Sequence, residues 1–457
     1  MSPGEVEAAT DLVWDEVPQV AEPIYKIDER PEHWWESLLY AWQHTLVDIS
    51  PFILPLAVAS AMGMKSSDQA GFINQCLFAM GLATLLQTTI GNRLPIIQGP
   101  SATLTGTLAP VAAQLGPAAM WGGAFLGGII EMVIGATGIL GFLRRLFPPV
   151  VSGVVVMSIG LSLGGLAIRL SVGDGRPLNF ALAAASIGMV LFLQFRCREL
   201  LGGIVARGAI FITIWLLGLG AGGVLGEVDW HLIGDKAWFD LPRLFPYGGP
   251  GFGWRMSLAA TLVILVGYLG SIVESLGDYA ATCAVAGEPY RVRHMNRGIF
   301  AEGLGSCLAT AVGGLPCTSY TQNIGIIAAT RVASRHVVRI AAVILILYGL
   351  SPKFGALLVA IPRPVLGGVF MLICGMIVVS GMRLVGDSVR LPGNAFLVGT
   401  TLILALGLPA YTQSALGPEW LDSTPIFARL LLTNSVVLAV ITAVGLNLVL
   451  REGTAES

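Results

Sequence analysis

Fourteen stretches of mostly apolar residues, each near the length that crosses a bilayer, fill this chain and dictate what it can become. A helical crossing takes about 20 such residues. The stretches lie near 38–62, 70–91, 95–114, 119–143, 148–168, 178–195, 205–225, 257–284, 298–314, 316–333, 337–360, 364–382, 393–411 and 428–450. A soluble fold has nowhere to hide so much apolar surface. Hydrophobic residues make up 54% of the chain and charged residues 12%, against roughly 25% charged in ordinary soluble domains. In lipid the apolar surface faces its preferred solvent, and helices satisfy their own backbone groups. The sequence therefore predicts an all-α polytopic membrane protein, and its 58 glycines suit close helix packing.

Other classes are disfavoured by what the chain lacks. The net charge is −2, with no basic stripe for nucleic acid. Cys76, Cys197, Cys283, Cys307, Cys317 and Cys374 form no CxxC and no Cys/His cluster, so they read as small membrane-core residues rather than metal ligands. No HExxH pattern occurs, and the single GxSxG match, Gly160 to Gly164, lies inside an apolar span rather than at a strand-to-helix turn, so neither points to an enzyme. Residues 1–36 are acidic and polar and read as a short solvated tail, and 451–457 as a shorter one. With the N-terminus inside, the cytoplasmic loops carry Arg93, Arg144, Arg145, Arg196, Arg198, Arg291, Arg293, Arg297, Arg331, Arg335, Arg383 and Arg390. The opposite loops hold fewer cations in more residues. This positive-inside bias places both termini in the cytoplasm.

The third and tenth stretches are interrupted. One holds Pro95, Gly99, Pro100 and Gly106; the other Gly313, Gly314, Pro316 and Gly325. Each is third in its set of seven. Paired broken helices at matching positions predict an inverted-repeat transporter with its site at the midplane, formed by short extended stretches in spans 3 and 10.

Charged groups inside a span are costly and usually functional. Span 8 reads GYLGSIVESLGDYAATC, placing Glu274 and Asp278 on one helix face. They must face a polar interior, or bond to neighbouring backbone. Span 10 reads GGLPCTSYTQNIGIIAATRVASR: Thr318, Ser319, Tyr320 and Thr321 favour an extended stretch, with a helix starting near Gln322–Asn323. Gln322 offers a donor and an acceptor in one plane, matching the lactam edge of a heterocycle. Asn323 reads equally as a substrate contact or a helix cap. Span 3, PIIQGPSATLTGTLAP, supplies a facing helix start near Gly99–Thr103. In span 1, Gln43 and His44 precede Asp48, which follows His44 by four residues. His44 is a candidate for a proton-linked role or a packed hydrogen-bonding residue. Glu131 and Glu302 are embedded without an evident polar cluster and read as structural or interface residues.

At these residues the sequence resembles a known family. ESLGDYAATCAVAGEP, MNRGIFAEG, QNIGIIAATRVASR and AIPRPVLGG look like stretches of the nucleobase–ascorbate transporters, nucleobase:cation symporter family two. The likeness runs from about residue 25 to residue 450. It implies two inverted sets of seven spans. A core domain (37–143, spans 1–4, and 257–361, spans 8–11) would move against a gate domain (144–256, spans 5–7 and an external loop, and 362–450, spans 12–14). It also implies a homodimer packed through the gate, and proton symport of uracil, xanthine, uric acid or a related base. No cofactor is implied beyond the coupling proton, with sodium left open. Carried over by position, Glu274 matches the family's substrate carboxylate and Asp278 its partner one turn later. Gln322 matches the variable residue opening the signature motif, followed by Asn323 and Gly325. Gln43 and His44 match the Gln-His pair of span 1. Glutamine at the motif opening resembles xanthine–urate carriers, whereas uracil carriers tend to have glutamate there. Thr321, Ser101 and Ala102 complete the expected substrate contacts. Where several relatives have an aromatic in the span 3 strand, this chain has Ala102 after Ser101, which puts ring stacking there in doubt and makes Tyr320 the candidate substitute. A uracil permease, an anion carrier and an ion channel are the competing readings. Two carboxylates in the site argue against an anion, and polar groups converging on two breaks argue against a continuous channel file.

Overall fold

The computed structural model of the chain describes residues 22–47, 50–141, 146–197, 209–242, 244, 246, 254–415, 420 and 423–452. Nearly all of it is helix. The first half runs α1 (Trp34–Val47), α2 (Ser50–Ala61), α3 (Ser66–Thr89), β1 (Gln98–Pro100), α4 (Ala102–Leu115), α5 (Pro117–Thr137), α6 (Pro149–Val172), α7 (Pro177–Leu191) and α8 (Ala209–Thr213), which continues as a π-helical Ile214–Ala221. The second half runs α9 (Leu258–Ala286), α10 (Val292–Ala311), β2 (Cys317–Ser319), α11 (Thr321–Thr330), α12 (Arg335–Gly349), α13 (Pro352–Val359), α14 (Arg363–Val385), α15 (Pro392–Ser414), α16 (Ile426–Thr433) and α17 (Ser435–Glu452). Prolines open α5, α6, α7, α13 and α15, where a missing N–H costs nothing and a fixed φ suits the first turn.

Among the described residues, seven helices are each long and apolar enough to cross a membrane, and nine spans result if two sharply bent pairs count as one each. Helical pieces also occupy the other five predicted ranges, 38–62, 95–114, 205–225, 298–314 and 316–333. Four of these are built of shorter segments, and α10 is long enough but carries Arg293, Arg297 and Glu302. The chain is thus a polytopic helical membrane protein.

The bent pairs were invisible to hydropathy, which ignores direction. The α12–α13 pair turns by 81° at Leu350–Ser351, and α16–α17 by 85° at Asn434. Asn434 makes the second turn by capping: its Oδ1 accepts from the N–H groups of Val436 and Val437 at 3.0 and 3.1 Å. The first predicted span likewise is two helices, α1 and α2.

Glycines let the helices meet backbone to backbone. A Cβ on Gly153 of α6 would lie 2.7 Å from the Gly381 carbonyl of α14, and one on Gly381 2.6 Å from that of Gly153. Gly128 of α5 and Gly303 of α10 meet in the same reciprocal way.

The N-terminal tail is not simply solvated along its length. The backbone of Ile24 to Ile27 pairs with residues 331–335, Ala333 donating to the Tyr25 carbonyl at 2.8 Å, and Asp28 pairs with Arg335. The loop after span 7 carries a short helix, Trp230–Gly234, capped by Asp229.

Candidate substrate-binding site

Two short strands cross where two helices begin. β1 pairs antiparallel with β2, Gln98 opposite Ser319, Gly99 opposite Thr318 and Pro100 opposite Cys317. The ladder extends at each end through Ser101 N to the Pro316 carbonyl (3.2 Å) and Tyr320 N to the Ile97 carbonyl (3.1 Å). Position 99 must be glycine, because a Cβ there would stand 2.7 Å from the Tyr320 ring. Tyr320 is fixed in turn by its hydroxyl, which donates to the Pro100 carbonyl at 3.0 Å. From this crossing α4 and α11 depart, so two sets of first-turn N–H groups without intrahelical partners start at one place.

Beside the crossing lies a cavity of about 180 Å³. Such a volume is below the roughly 300–1,000 Å³ of drug-sized sites and suits a smaller ligand. Glu274, Gln322, Thr321, Ala102 and Tyr320 line it from one side; Val156, Phe370 and Ile373 close the other. The structure therefore brings together five residues that the sequence singled out. Glu274 is oriented by Thr103, whose hydroxyl donates to its Oε2 at 3.0 Å.

Asp278 lies one turn further along α9, behind the wall, and is buried. Ser319 Oγ donates to its Oδ2 and Thr321 Oγ1 to its Oδ1, each at 2.8 Å. Both carboxylate oxygens are thus occupied by the end of β2 and the first residue of α11. Asp278 clamps the broken segment to the continuous helix.

Two expected contacts have other partners. Ser101 is not in the cavity wall: it is buried, and its Oγ accepts from Leu104 N at 3.1 Å, capping α4. Asn323 does not cap α11, since Tyr320 stands at that position. Its Oδ1 instead meets His44 Nδ1 at 2.7 Å, joining α1 to α11. Both are buried and outside the wall. Gln43 is half-buried on α1, and Gly325 lies on an open face of α11 with nothing within 4 Å of a built Cβ. Asp48 lies outside the described residues.

Glu302 corrects the reading that it lacks a polar cluster. It is fully buried, and its carboxylate accepts from Ser275 Oγ at 2.8 Å and from Tyr279 OH at 2.8 Å. Gln87 Nε2 donates to that same Tyr279 hydroxyl at 2.8 Å, and the N–H of Ser319 donates to Ser275 Oγ at 3.3 Å. The chain from α3 through α9 and α10 thereby ends on β2, directly under the cavity wall. Its other members are a glutamine, two serines and a tyrosine on three separate elements, and no local spacing marks them. Glu131 is also fully buried, on the face of α5 that packs against α10. Phe370 was missed as well: in an unbroken apolar run nothing distinguishes it from a lipid-facing residue. All six cysteines are buried and free.

Packed apolar helices, with two interrupted segments meeting over a largely apolar cavity that holds a carboxylate and a carboxamide in its wall, define an integral membrane transporter. Comparison with known proteins narrows the class. The Xan_ur_permease model, described as the permease family, matches residues 36–414, and the chain belongs to this family, the nucleobase–ascorbate transporters. The uric acid permease PucK of Bacillus subtilis (strain 168) is 32% identical over 425 residues, covering 90% of this chain and 95% of that one. The xanthine permease XanQ of Escherichia coli (strain K12) is 30% identical over 458 residues, 94% of each chain. The nucleobase transporter PlUacP of Paenibacillus larvae is 30% identical over 91% of this chain and 95% of its own. Among solved structures, the transmembrane domain of the cyanobacterium bicarbonate transporter BicA superposes with a TM-score of 0.56 at 16% identity, covering 92% of this chain and 100% of that one. The murine Slc26a9 anion transporter in the inward-facing state gives 0.62 at 11% identity, over 93% of this chain and 69% of its own. At such identities the likeness is one of fold alone.

Proposed function

We propose that this chain imports a purine base of the xanthine or uric acid kind by proton symport. The observation that carries the proposal is a carboxylate and a carboxamide, Glu274 and Gln322, lining one cavity at the start of two half-helices. Glu274 accepts from ring N–H groups, and Gln322 pairs with an adjacent carbonyl and N–H. Ala102 leaves room for the base, and Tyr320 and Phe370 supply aromatic surface in the wall. Asp278, His44 and Asn323 hold the broken segment in place, with Glu274, Asp278 and His44 as proton-coupling candidates. The names of the relatives, uric acid and xanthine permeases among them, favour a purine.

The reading includes fourteen spans in two inverted sets of seven. Its support is that the packing pairs map onto themselves when each span number is shifted by seven. Span 4 packs on span 9 as span 11 packs on span 2, span 8 on span 4 as span 1 on span 11, and spans 3 and 10 pair with each other. Spans 5 and 12 do the same through Gly153 and Gly381. The cavity then lies between the core (37–143 and 257–361) and the gate (144–256 and 362–450), Glu274 and Gln322 on one side, Val156 and Phe370 on the other. Of the seven long helices among the described residues, those of spans 6 and 13 are the least buried, as suits a homodimer joined through the gate. Both termini are cytoplasmic, in the cell membrane, by the arginine bias.

Uptake of a panel of labelled bases by cells producing the chain tests the function. Saturable uptake of xanthine or urate, lost with a protonophore, is the expected result; uracil uptake without purine uptake contradicts the substrate class. Within that panel Gln322→Glu should weaken xanthine and urate by roughly tenfold and favour bases presenting more N–H donors. An ionised glutamate only accepts, so a purine carbonyl opposite it meets a lone pair, and one lost good hydrogen bond is worth about 1.5 kcal/mol. An unchanged competition profile would show that Gln322 does not touch the base.

A further inference from the structure

Two arginines face a second cavity, which the proposed site does not use. Its volume is about 530 Å³, and Arg169 near the end of α6 and Arg363 at the start of α14 stand in its wall. The remaining polar lining is hydroxyls and an amide, among them Thr105, Ser162 and Asn434, with no carboxylate. Both arginines are exposed, and neither makes an ion pair among the described residues. Asp174 and Glu227 pair instead with Arg176, at 2.9 and 3.1 Å.

Four elements, α2, α4, α6 and α14, wall both cavities. The lining shifts from Leu54 to Ser60 on α2, from Ala102 to Pro110 on α4, and from Val156 to Arg169 on α6. At 1.5 Å per helical residue these offsets come to about 9, 12 and 20 Å, all toward the C-terminal ends. The larger cavity is therefore stacked on the smaller one along the bundle axis. It sits where α2, α4 and α6 end and α14 begins, which is the outer face when the N-terminus is inside.

From this we infer that the outer cavity is a recruitment site for a small planar organic anion, in the first place the anionic form of an oxopurine, held by Arg169 and Arg363 before it passes inward with the coupling proton, which offsets its charge beside Glu274. The oxopurine part rests on the proposed function; the anion site does not. Urate is anionic at neutral pH, since a ring N–H with flanking carbonyls is acidic. A cleft lined by one sign of charge concentrates the opposite sign, and salt weakens the effect. Leu163, Leu166 and Ala57 give the flat apolar surface that a ring needs.

The test uses the full-length protein with Ser162→Cys, since Ser162 lines the cavity and its hydroxyl bonds only the Ile159 carbonyl of its own helix. The native cysteines are all buried and give little background. At low salt an anionic methanethiosulfonate should label Cys at this position roughly tenfold faster than a cationic one of similar size. The difference should shrink in about 0.5 M salt. It should vanish with Arg169→Gln plus Arg363→Gln, and persist with lysine at both positions, which also controls for folding. The same glutamine pair should raise KM for urate roughly three- to tenfold with the maximal rate kept. Equal labelling rates in the parent protein would overturn the inference, as would an unchanged urate KM in the glutamine pair. Preferential anionic labelling without purine uptake by the parent would support the anion site and remove the proposed function instead.

Discussion

Glu274→Gln is expected to abolish purine uptake while the protein still reaches the membrane in normal amount. The carboxylate lines the cavity and is half-buried, with Thr103 Oγ1 donating to one oxygen at 3.0 Å. On the proposed reading its remaining acceptor capacity serves the base. Charge-assisted hydrogen bonds contribute about 1.5–3 kcal/mol each. Glutamine keeps the volume and can still accept from Thr103, so the fold should tolerate it. The amide loses the charge and turns one acceptor into a donor, which then opposes a ring N–H. A deficit of about 3 kcal/mol is roughly a hundredfold in affinity. Labelled uptake beside quantitative detection of the protein in membranes checks this. Normal uptake by the variant would remove Glu274 from the site.

Asp278→Ala should fail differently, losing stability together with transport. Here the carboxylate does not line the cavity; both oxygens are taken by Ser319 and Thr321 at 2.8 Å. Alanine removes both acceptors at once: the buried Ser319 hydroxyl keeps only Ser275 Oγ at 2.9 Å and the exposed Thr321 hydroxyl loses its acceptor, at about 1–3 kcal/mol for the pair. Against a total of about 5–15 kcal/mol that is a large fraction. The purified variant should melt several degrees lower, and the loss of transport should follow from displacement of β2 and Thr321. Asp278→Asn, which keeps one acceptor, should lie between. A variant with unchanged melting and no transport would assign Asp278 a direct role in binding or proton transfer instead.

These two carboxylates also show what was legible in the sequence. A charge within a span is so costly that its mere presence marks a polar interior, and Glu274 and Asp278 stood out for that reason. Which of them meets the cavity was not legible, because it depends on where β2 crosses α9. Prolines and glycines announced the breaks in spans 3 and 10, and α4 and α11 start within a residue or two of the expected places. The sharp turns at Ser351 and Asn434 escaped because hydropathy carries no direction. The Glu302 network escaped for another reason. Its partners come from four elements, α3, α9, α10 and β2, and pairing between distant segments leaves no local spacing to read. Ser101 and Asn323 were placed in the right neighbourhood but given the wrong partners: side chains at a helix start serve the helix or its neighbour as readily as a ligand. Arg169 and Arg363 lie far apart in the sequence, and only the packing of six elements brings them to one cavity.

The central claim is proton-driven purine transport through the Glu274 cavity, and reconstituted protein tests it most directly. Purified chain in sodium-free proteoliposomes, with the external pH lowered from about 8 to 6, spans a range that histidines of proteins titrate in and that only strongly perturbed carboxylates reach. Labelled xanthine or urate should accumulate above its external concentration, faster at the lower pH. It should leak back when a protonophore is added, and fail to accumulate with Glu274→Gln. Accumulation that requires sodium and ignores the protonophore would contradict the coupling, and accumulation unimpaired by Glu274→Gln would contradict the site.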